Sequence, residues 1–384
     1  MNILTYVMAA FMLLAAADRI FGNRLGLGRE FENGVELLGT MALSMVGMIV
    51  IAPLIAHLMQ PVFDLLPSWI DPSILPSVVF ANDMGGAPLA VGAARNAEIG
   101  AFNAMVVSSM MGCTVSFTIP FCLGCVPGRL HRDMLLGLLC GIVTIPLGSF
   151  VGGLIAGLKP IPLAVNLLPL FAFSALVAFG ILRAPDVCVK IFGMLGVVIR
   201  AVITVGLAVG IFAFLTGKQL LPHTDTLQAG IDIVLNACAV MTGTFPMICL
   251  ASKLLSKPLK AVGKKIGINE AAALGFVSTL ATSVTTFSMM EKMDRRGIVL
   301  NAAFLVSAGF VFTDHMAFTM AYMPEYLPAM IAGKLSAAAL SLCLAVPVCK
   351  KVCSAAVVQP DAVQPDAVQP TEPREEQLHD QPHP

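Results

Sequence analysis

The chain of 384 residues is 57% hydrophobic and only 12% charged. Soluble domains carry about 25% charged residues, so this composition excludes an ordinary soluble domain. The net charge is zero and no basic patch stands out, which excludes nucleic acid as an expected partner. We predict an all-α polytopic membrane protein, surrounded by membrane lipid, with a single transmembrane domain over residues 1–351.

The first apolar run, Ile3–Ala17, predicts a membrane-spanning helix. A cleaved signal peptide is the alternative, because Ala15-Ala16-Ala17 resembles a cleavage site. No Lys or Arg precedes the run, which favours a retained span. Eight further runs are close to the roughly 20 residues that cross the hydrocarbon core. They are Val35–Gln60, Ala101–Val126, Met134–Leu158, Leu163–Leu182, Val197–Thr216, Ala229–Leu250, Gly297–Tyr322 and Pro328–Val348.

Two more apolar runs, Ile74–Ala94 and Ile268–Met290, are long enough to span but are interrupted in the middle. The first contains the stretch FANDMGGAPLA, whose glycines and proline cannot hold a regular helix together. The second has a centre rich in serine and threonine. Interrupted backbone is tolerated in a membrane only where protein or a watery cavity surrounds it. Each run is therefore either a full span or a re-entrant hairpin.

The distribution of Lys and Arg separates these alternatives, because cytoplasmic loops carry the excess of positive charge. If both runs span, giving eleven spans, the loop charges divide 11 to 9 between the two sides. If both are re-entrant, only Arg95, Lys159 and Lys218 lie outside and the division is 17 to 3. We therefore predict nine spans and two hairpins, with the N-terminus outside and the C-terminus cytoplasmic.

The sequence also contains a weak internal repeat. The matches are Gly34, Glu36 and Gly47 with Gly230, Asp232 and Gly243, and Asn103-Ala104 with Asn301-Ala302. The first repeat covers about 30–158 and the second about 228–348, with linking spans over 163–216. Under the predicted topology the two copies point in opposite directions, which is typical of an inverted-repeat transporter with its site between broken helices. The proline-rich tail, 352–384, is predicted to be disordered and cytoplasmic.

Asp83 is the first candidate for a binding site, with Asn82 beside it. An ionisable residue inside a membrane segment is costly and usually marks a substrate or ion pathway. The alternative is a carboxylate that caps backbone N–H groups freed by the break. On the second interrupted run, the hydroxyls of Thr282, Ser283 and Thr285 suit a small polar substrate. Their alternative role is hydrogen bonding between helices.

Other polar residues are candidates for coupling or for the substrate pathway. They are Glu36, Asp232, Asp314, His315, Asn103 and Asn301. Asp314 and His315 could relay protons, because histidine titrates near neutrality; the alternative is a buried hydrogen-bonded pair. Glu36 and Asp232 occupy equivalent repeat positions near opposite span ends, where a solvated carboxylate is equally expected. Arg200 and Lys334 are interpreted as residues at helix ends whose charges reach the membrane surface.

No motif for chemistry is present. The sequence lacks a phosphate-binding loop, a zinc-protease helix and a nucleophile elbow, so we predict no enzyme activity, no catalytic residue and no cofactor. Cys122-x-x-Cys125 has no second Cys/His pair at zinc spacing, and we predict no metal site.

Three stretches carry a resemblance to a known family: NGVELLGTMALSMVGM, SVVFANDMGGAPLA and INEAAALGFVSTLATSVTTFSMMEKMD. From Met1 to about Lys351 the sequence resembles the ethanolamine-utilisation membrane proteins of bacteria, and the DAVQP tail looks like an extension. The resemblance implies a permease of the inner membrane that takes up ethanolamine for breakdown by cytoplasmic enzymes. It implies no particular binding residues.

Three functions remain open at this point. The first is an ethanolamine permease, since a buried carboxylate suits an ammonium group and hydroxyls suit the alcohol. The second is a proton- or cation-coupled carrier or antiporter for another small cation, and the third is a non-transporting sensor or scaffold. Many such carriers are dimers, so a homodimer is a further hypothesis.

Overall fold

The computed structural model describes residues 3–356, and every regular element in that range is a helix. Seven helical segments there are long and apolar enough to cross a membrane. They are Leu27–Asp64, Ala97–Cys125, Gly128–Ile155, Pro160–Arg183, Pro185–Thr216, Leu227–Leu254 and Pro324–Cys349. The all-helical, multi-pass class predicted from composition is confirmed. The first residues of the predicted disordered tail, 352–356, continue the last helix, and the rest of the tail lies outside the described residues.

The helices are numbered in chain order. They are α1 (Ile3–Ile20), α2 (Leu27–Met41), α3 (Gly47–Asp64), α4 (Ile74–Val79), α5 (Gly86–Ala93), α6 (Ala97–Phe102), α7 (Ile119–Cys125), α8 (His131–Ile155), α9 (Pro160–Asn166), α10 (Leu168–Arg183), α11 (Pro185–Thr216), α12 (Leu227–Ile266), α13 (Glu270–Ala281), α14 (Ser283–Met289), α15 (Arg295–Ala308), α16 (Asp314–Tyr322) and α17 (Leu327–Ala356). A π-helical turn, Ala42–Val46, joins α2 to α3, and two more, Asn103–Gly112 and Thr114–Thr118, join α6 to α7.

One predicted span is not a continuous helix. The run Gly297–Tyr322 was expected to form a continuous helix, but it is divided into α15 and α16 by an irregular segment that begins at Gly309. Phe310 has a φ of 60°, a left-handed conformation that is costly for a bulky residue. Its backbone N–H donates to the carbonyl of Thr279 at 3.3 Å instead of continuing the helix. The break therefore depends on a tertiary contact that the apolar sequence does not reveal.

The first interrupted run forms a hairpin, called here the first hairpin (α4 and α5). Its two helices pack against each other. Asp71, just before α4, accepts hydrogen bonds from the backbone N–H groups of Arg95 at 3.0 Å and Asn96 at 2.9 Å, just after α5. The Arg95 side chain also donates to the carbonyl of Phe63 at 2.6 Å, at the end of α3. Both ends of the hairpin are thus held at one face of the bundle.

The second interrupted run, α13 and α14, forms an equivalent second hairpin. The backbone N–H of Asn269 donates to Asp294 at 2.8 Å, and its side-chain amide donates to the carbonyl of Lys292 at 2.8 Å. Because both runs return to the face on which they began, this geometry favours hairpins over eleven full spans.

Replacing Asp71 by alanine is expected to loosen the first hairpin. The carboxylate accepts four hydrogen bonds, from the backbone N–H groups of Ser73, Arg95 and Asn96 and from the hydroxyl of Ser73. Removing it leaves those donors without their acceptor, which costs about 1–3 kcal/mol. Hydrogen exchange should accelerate at residues 93–98. Asp64→Ala is the control, because Asp64 is exposed; equal protection in both variants would contradict the expectation.

The two halves of the chain pack in an exchanged pattern. A methyl group on Gly34 would lie 2.8 Å from Cα of Thr242, and one on Gly230 would lie 2.8 Å from Cγ1 of Val46. One offset, 196 residues, relates Gly34 to Gly230 and Val46 to Thr242. At this offset, the contact of Gly34 with Thr242 and the contact of Gly230 with Val46 are therefore counterparts of each other.

The same exchange extends to two further helices. Gly47 packs closely against the carbonyl of Ile203 in α11, and its repeat counterpart Gly243 packs against the carbonyl of Met8 in α1. Glycine permits these close crossings because helix axes approach most nearly where no side chain intervenes. α11 and α1 thus each approach closely one glycine of this pair.

The segments that follow the hairpins run in opposite directions. The end of α7 lies beside the start of α15, where Arg129 contacts Glu291 at 2.9 Å and Arg295 binds Asp133 at 2.8 Å. At the other face, the hydroxyl of Tyr326, just after α16, donates to the carbonyl of Glu98 at the start of α6, at 3.3 Å. We call the first of these the basic face, after Arg129 and Arg295.

Candidate functional site: a cavity between interrupted helices

Three interrupted segments meet at a cavity of about 320 Å³, called here the central cavity. The residues around it that can form polar contacts are Thr40, Ser44, Asp83, Cys113, Thr282, Asp314 and His315. They come from the tips of both hairpins, from the start of α16, from α2 with its π turn and, for Cys113, from the π-helical segment between α6 and α7. The rest of the lining is apolar. A few polar groups in a small apolar enclosure are typical of a site for a small ligand.

The breaks are stable because the neighbouring segments satisfy the backbone they expose. In the first hairpin, the carbonyl of Phe80 accepts from the hydroxyl of Ser108, and the N–H of Ala81 donates to Ser116 at 3.2 Å. In the second, the carbonyl of Leu280 accepts from the N–H of Phe312 at 3.1 Å, and that of Ala281 accepts from the Thr313 hydroxyl. Backbone without a water partner must be paired in this way inside a membrane protein.

Asp83 lies at the tip of the first hairpin and lines the central cavity. Its Oδ1 has no hydrogen-bond partner among the described residues and lies 3.9 Å from Nε2 of His315. The N-cap of α5 is Gly85, where no side-chain cap hydrogen bond forms. Asp314 lines the same cavity, so two carboxylates share one small space.

Lys334 was expected at a helix end, and this was wrong. It lies inside α17, is 1% exposed, and donates to the carbonyl of Ser109 at 2.7 Å and to Nδ1 of His315 at 2.9 Å. Lys334 is the seventh residue of the predicted span Pro328–Val348, almost two turns from its start, and this depth is the signal that could have identified it. Arg200 is exposed in the middle of α11, not at an end, and lines a different cavity.

The hydroxyls predicted for the site are only partly brought together. Thr282 lines the central cavity and accepts from the N–H of Val284 at 3.3 Å as the N-cap of α14. Ser283 is fully buried outside that lining, and Thr285 points into a neighbouring cavity. Asn82 is fully buried, and neither of its amide atoms has a partner among the described residues.

That neighbouring cavity, of about 840 Å³, is called here the vestibule. Its polar residues include Glu30, Asn33, Glu36 and Thr285. It shares Thr40 and Thr282 among its lining with the central cavity. Lys253, which donates to the carbonyl of Leu25 at 2.7 Å, also lines it, so the vestibule lies towards the basic face. The central cavity is thus adjacent to an open, acidic approach.

Comparison with known proteins identifies the family of this chain. The model of the ethanolamine utilisation protein EutH matches residues 1–348. The chain belongs to this family. The match confirms the resemblance carried by the three sequence stretches, and it ends before the DAVQP tail. No solved structure matches the chain.

Relatives of this EutH-family chain span most of its length. A protein of Listeria monocytogenes named "Probable ethanolamine permease EutH" is 40% identical, over 87% of this chain and 90% of the relative. One of Salmonella typhimurium with the same name is 35% identical, over 87% and 92%. The "Uncharacterized protein YxeR" of Bacillus subtilis is 36% identical, over 86% and 90%.

The remaining candidates of this EutH-family chain lie away from the central cavity. Asp232 is exposed on α12 and accepts from Gln228 at 2.6 Å. Asn103 and Asn301 are fully buried, and each donates to the first part of one hairpin. Asn103 donates to the hydroxyl of Ser73 at 2.8 Å, and Asn301 donates to the carbonyl of Ala272 at 2.9 Å. These two amides hold each hairpin to the segment that follows it. Glu36 is exposed in the vestibule.

Proposed function

We propose that this chain is a permease that takes up ethanolamine across the bacterial inner membrane and supplies its catabolism. The observation that carries the proposal is the meeting of Asp83 and Asp314 in one small cavity between interrupted helices. The names of the relatives from Listeria monocytogenes and Salmonella typhimurium support ethanolamine as the substrate. They also support a transporter and not an enzyme.

Ethanolamine fits the chemistry of the central cavity. Its ammonium group has only donors, and the unpartnered Oδ1 of Asp83 is an acceptor for a charge-assisted hydrogen bond. Its hydroxyl can donate and accept, as can the hydroxyls of Thr40, Ser44 and Thr282 in the lining. Asn82, Ser283 and Thr285 are proposed to support the two hairpin tips, since they lie beside the cavity or in the vestibule.

We further propose an inverted-repeat transporter fold. The exchanged contacts of Gly34 and Gly230 and the antiparallel course of the segments after the hairpins support it. The predicted repeats, 30–158 and 228–348, then extend to α1 and α11. In such folds one half rocks against the other around a fixed site, exposing it to each side in turn.

The direction of access follows from charge. If the basic face is cytoplasmic, as the excess of Lys and Arg favours, both hairpins are re-entrant, the N-terminus is outside and the C-terminus cytoplasmic. The vestibule then opens towards the cytoplasm, and the structure represents an inward-facing state. Glu30 and Glu36 in the vestibule would attract a cation.

A proton- or cation-coupled carrier is the second candidate. It is favoured by His315 and Asp314, which line the same cavity as Asp83 and could accept or release a proton during the cycle. No described contact supports a sensor, a scaffold or a homodimer, and these remain hypotheses.

The test is uptake of labelled ethanolamine into proteoliposomes that contain the full chain. We expect saturable uptake that is faster with an inside-negative membrane potential and does not depend on a pH or sodium gradient. A requirement for a pH or sodium gradient would replace the proposal with the coupled carrier. Folded protein that takes up no more ethanolamine than empty liposomes, under every gradient, would overturn it.

A further inference from the structure

A buried lysine lies directly behind the central cavity. Lys334 on α17 does not line the cavity, but His315, which does, separates it from Asp83. The chain of contacts runs from the Ser109 carbonyl to Lys334 Nζ at 2.7 Å, to His315 Nδ1 at 2.9 Å, and from His315 Nε2 to Asp83 Oδ1 at 3.9 Å. Both Lys334 and His315 are 1% exposed. A lysine is almost never buried in this way without a specific role.

The lysine fixes the state of the imidazole. An ammonium group has three N–H donors and no acceptor, so His315 Nδ1 must accept from Lys334. The ring is then neutral, and its hydrogen is on Nε2, which faces Asp83. A second positive charge on the ring would lie 2.9 Å from the ammonium. His315 is therefore a neutral spacer that directs a donor towards the substrate carboxylate.

The charges around the cavity can then be counted. Asp83 and Asp314 line it, and Lys334 is the cation that reaches it through His315. The remaining titratable group in the lining is the thiol of Cys113, which is neutral when protonated. Arg200 is exposed on α11 and lines another cavity. When both carboxylates are ionised, the described residues give the central cavity two negative charges and one positive charge, a net charge of one negative.

We propose that Lys334 is a specificity-determining residue that sets this net charge, so that the cavity accepts one monovalent cation. With Lys334 in place, a single ammonium neutralises the cavity, and a dication would leave an uncompensated buried charge. Without it, two carboxylates face the substrate and a dication becomes the matched ligand. This inference rests on the proposed function, since it assumes that the central cavity binds ethanolamine.

Displacement of labelled ethanolamine from purified full-length protein tests the proposal without requiring turnover. The competitors are unlabelled ethanolamine, a monocation, and putrescine, a dication, both at neutral pH. Lys334→Gln removes the charge while its amide can still donate to the Ser109 carbonyl. We expect the affinity for putrescine relative to ethanolamine to rise by about tenfold or more in this variant. Lys334→Arg, which keeps the charge, should leave the ratio close to that of the native protein.

A compensating substitution distinguishes an electrostatic role of Lys334 from a purely structural one. Asp314→Asn alone should weaken ethanolamine binding by about tenfold or more, because Lys334 then neutralises the remaining carboxylate. Adding Lys334→Gln should restore binding and the preference for the monocation. If Lys334 is only structural, the double variant binds worse than either single variant, and the proposal is overturned. An unchanged competitor ratio in folded Lys334→Gln overturns it as well.

The double variant also tests the proposal when Lys334→Gln alone does not fold. If Lys334→Gln alone is not monodisperse, recovery of a folded, ethanolamine-binding protein on adding Asp314→Asn supports the proposal, and failure of the double variant overturns it. Absence of ethanolamine binding and uptake by the native protein would instead overturn the proposed function.

Discussion

Replacing Asp83 by asparagine is expected to reduce the initial rate of ethanolamine uptake by about 100-fold. The substitution keeps the shape of the side chain but removes the charge, and loss of one member of a buried charge pair costs about 2–5 kcal/mol. The unpartnered Oδ1 of Asp83 is the acceptor that the ammonium group would occupy. Uptake into proteoliposomes, with protein content matched by immunoblot, measures the effect.

The matched control for Asp83→Asn is Asp64→Asn. This substitution is the same chemical change, made at the exposed end of α3. The amide of Gln60 donates to the Asp64 carboxylate there at 2.9 Å. Its uptake should stay within about twofold of the native rate, because an exposed charge contributes little. Native uptake by folded Asp83→Asn would remove this carboxylate from the binding site and leave Asp314 as the candidate.

Replacing Gly112 by valine is expected to destabilise the whole bundle. Gly112 lies in the π-helical segment behind the first hairpin, and a Cβ there would overlap the carbonyl of Phe80 and lie 2.8 Å from that of Ser77. These are backbone atoms that cannot rotate away, so the hairpin must move. Overpacking of this kind costs about 3 kcal/mol. The midpoint of thermal unfolding in detergent, followed by size-exclusion chromatography, should fall by several degrees.

Gly124→Val provides the comparison, since Gly124 lies in α7 of the same segment and no atom lies within 4 Å of a Cβ placed there. Its unfolding midpoint should stay close to the native value, because only helix propensity changes. Equal midpoints for the two variants would show that the hairpin does not depend on the close approach at Gly112.

Much of the architecture could be predicted from the sequence because it depends on local signals. The glycines and proline near Asp83 interrupt an apolar run, and the placement of Lys and Arg decides between hairpins and full spans. The structure supports the hairpins through the contacts of Asp71 and Asn269. Helix-breaking residues and loop charges affect only the segments in which they lie, so a single sequence is enough to predict their effects.

The parts that were missed depend on contacts between distant residues. The break after α15 is held by carbonyls of the second hairpin, and the run was interpreted as one helix although Asp314 and His315 lie inside it. The sequence also did not predict which serine and threonine side chains of the second hairpin face the central cavity. Thr282 is the extended N-cap of α14, so its side chain does not follow the helical register of Thr285. Both line the vestibule, but only Thr282 lines the central cavity. Lys334 was visible in the sequence, but its partner is on another helix.

The exchanged packing of the two halves has a consequence for biogenesis. α8 packs against α15 and α17, and α12 packs against α1 and α2, so neither half encloses an interior of its own. The largest apolar cluster also combines residues from both halves, from Ile74 to Cys349. Contacts between residues this far apart in the chain form late and slowly. The packing of α8 must therefore wait until α15 and α17 have left the ribosome and entered the membrane. The interrupted backbone of the first hairpin finds its partners Ser108 and Ser116 earlier, within its own half.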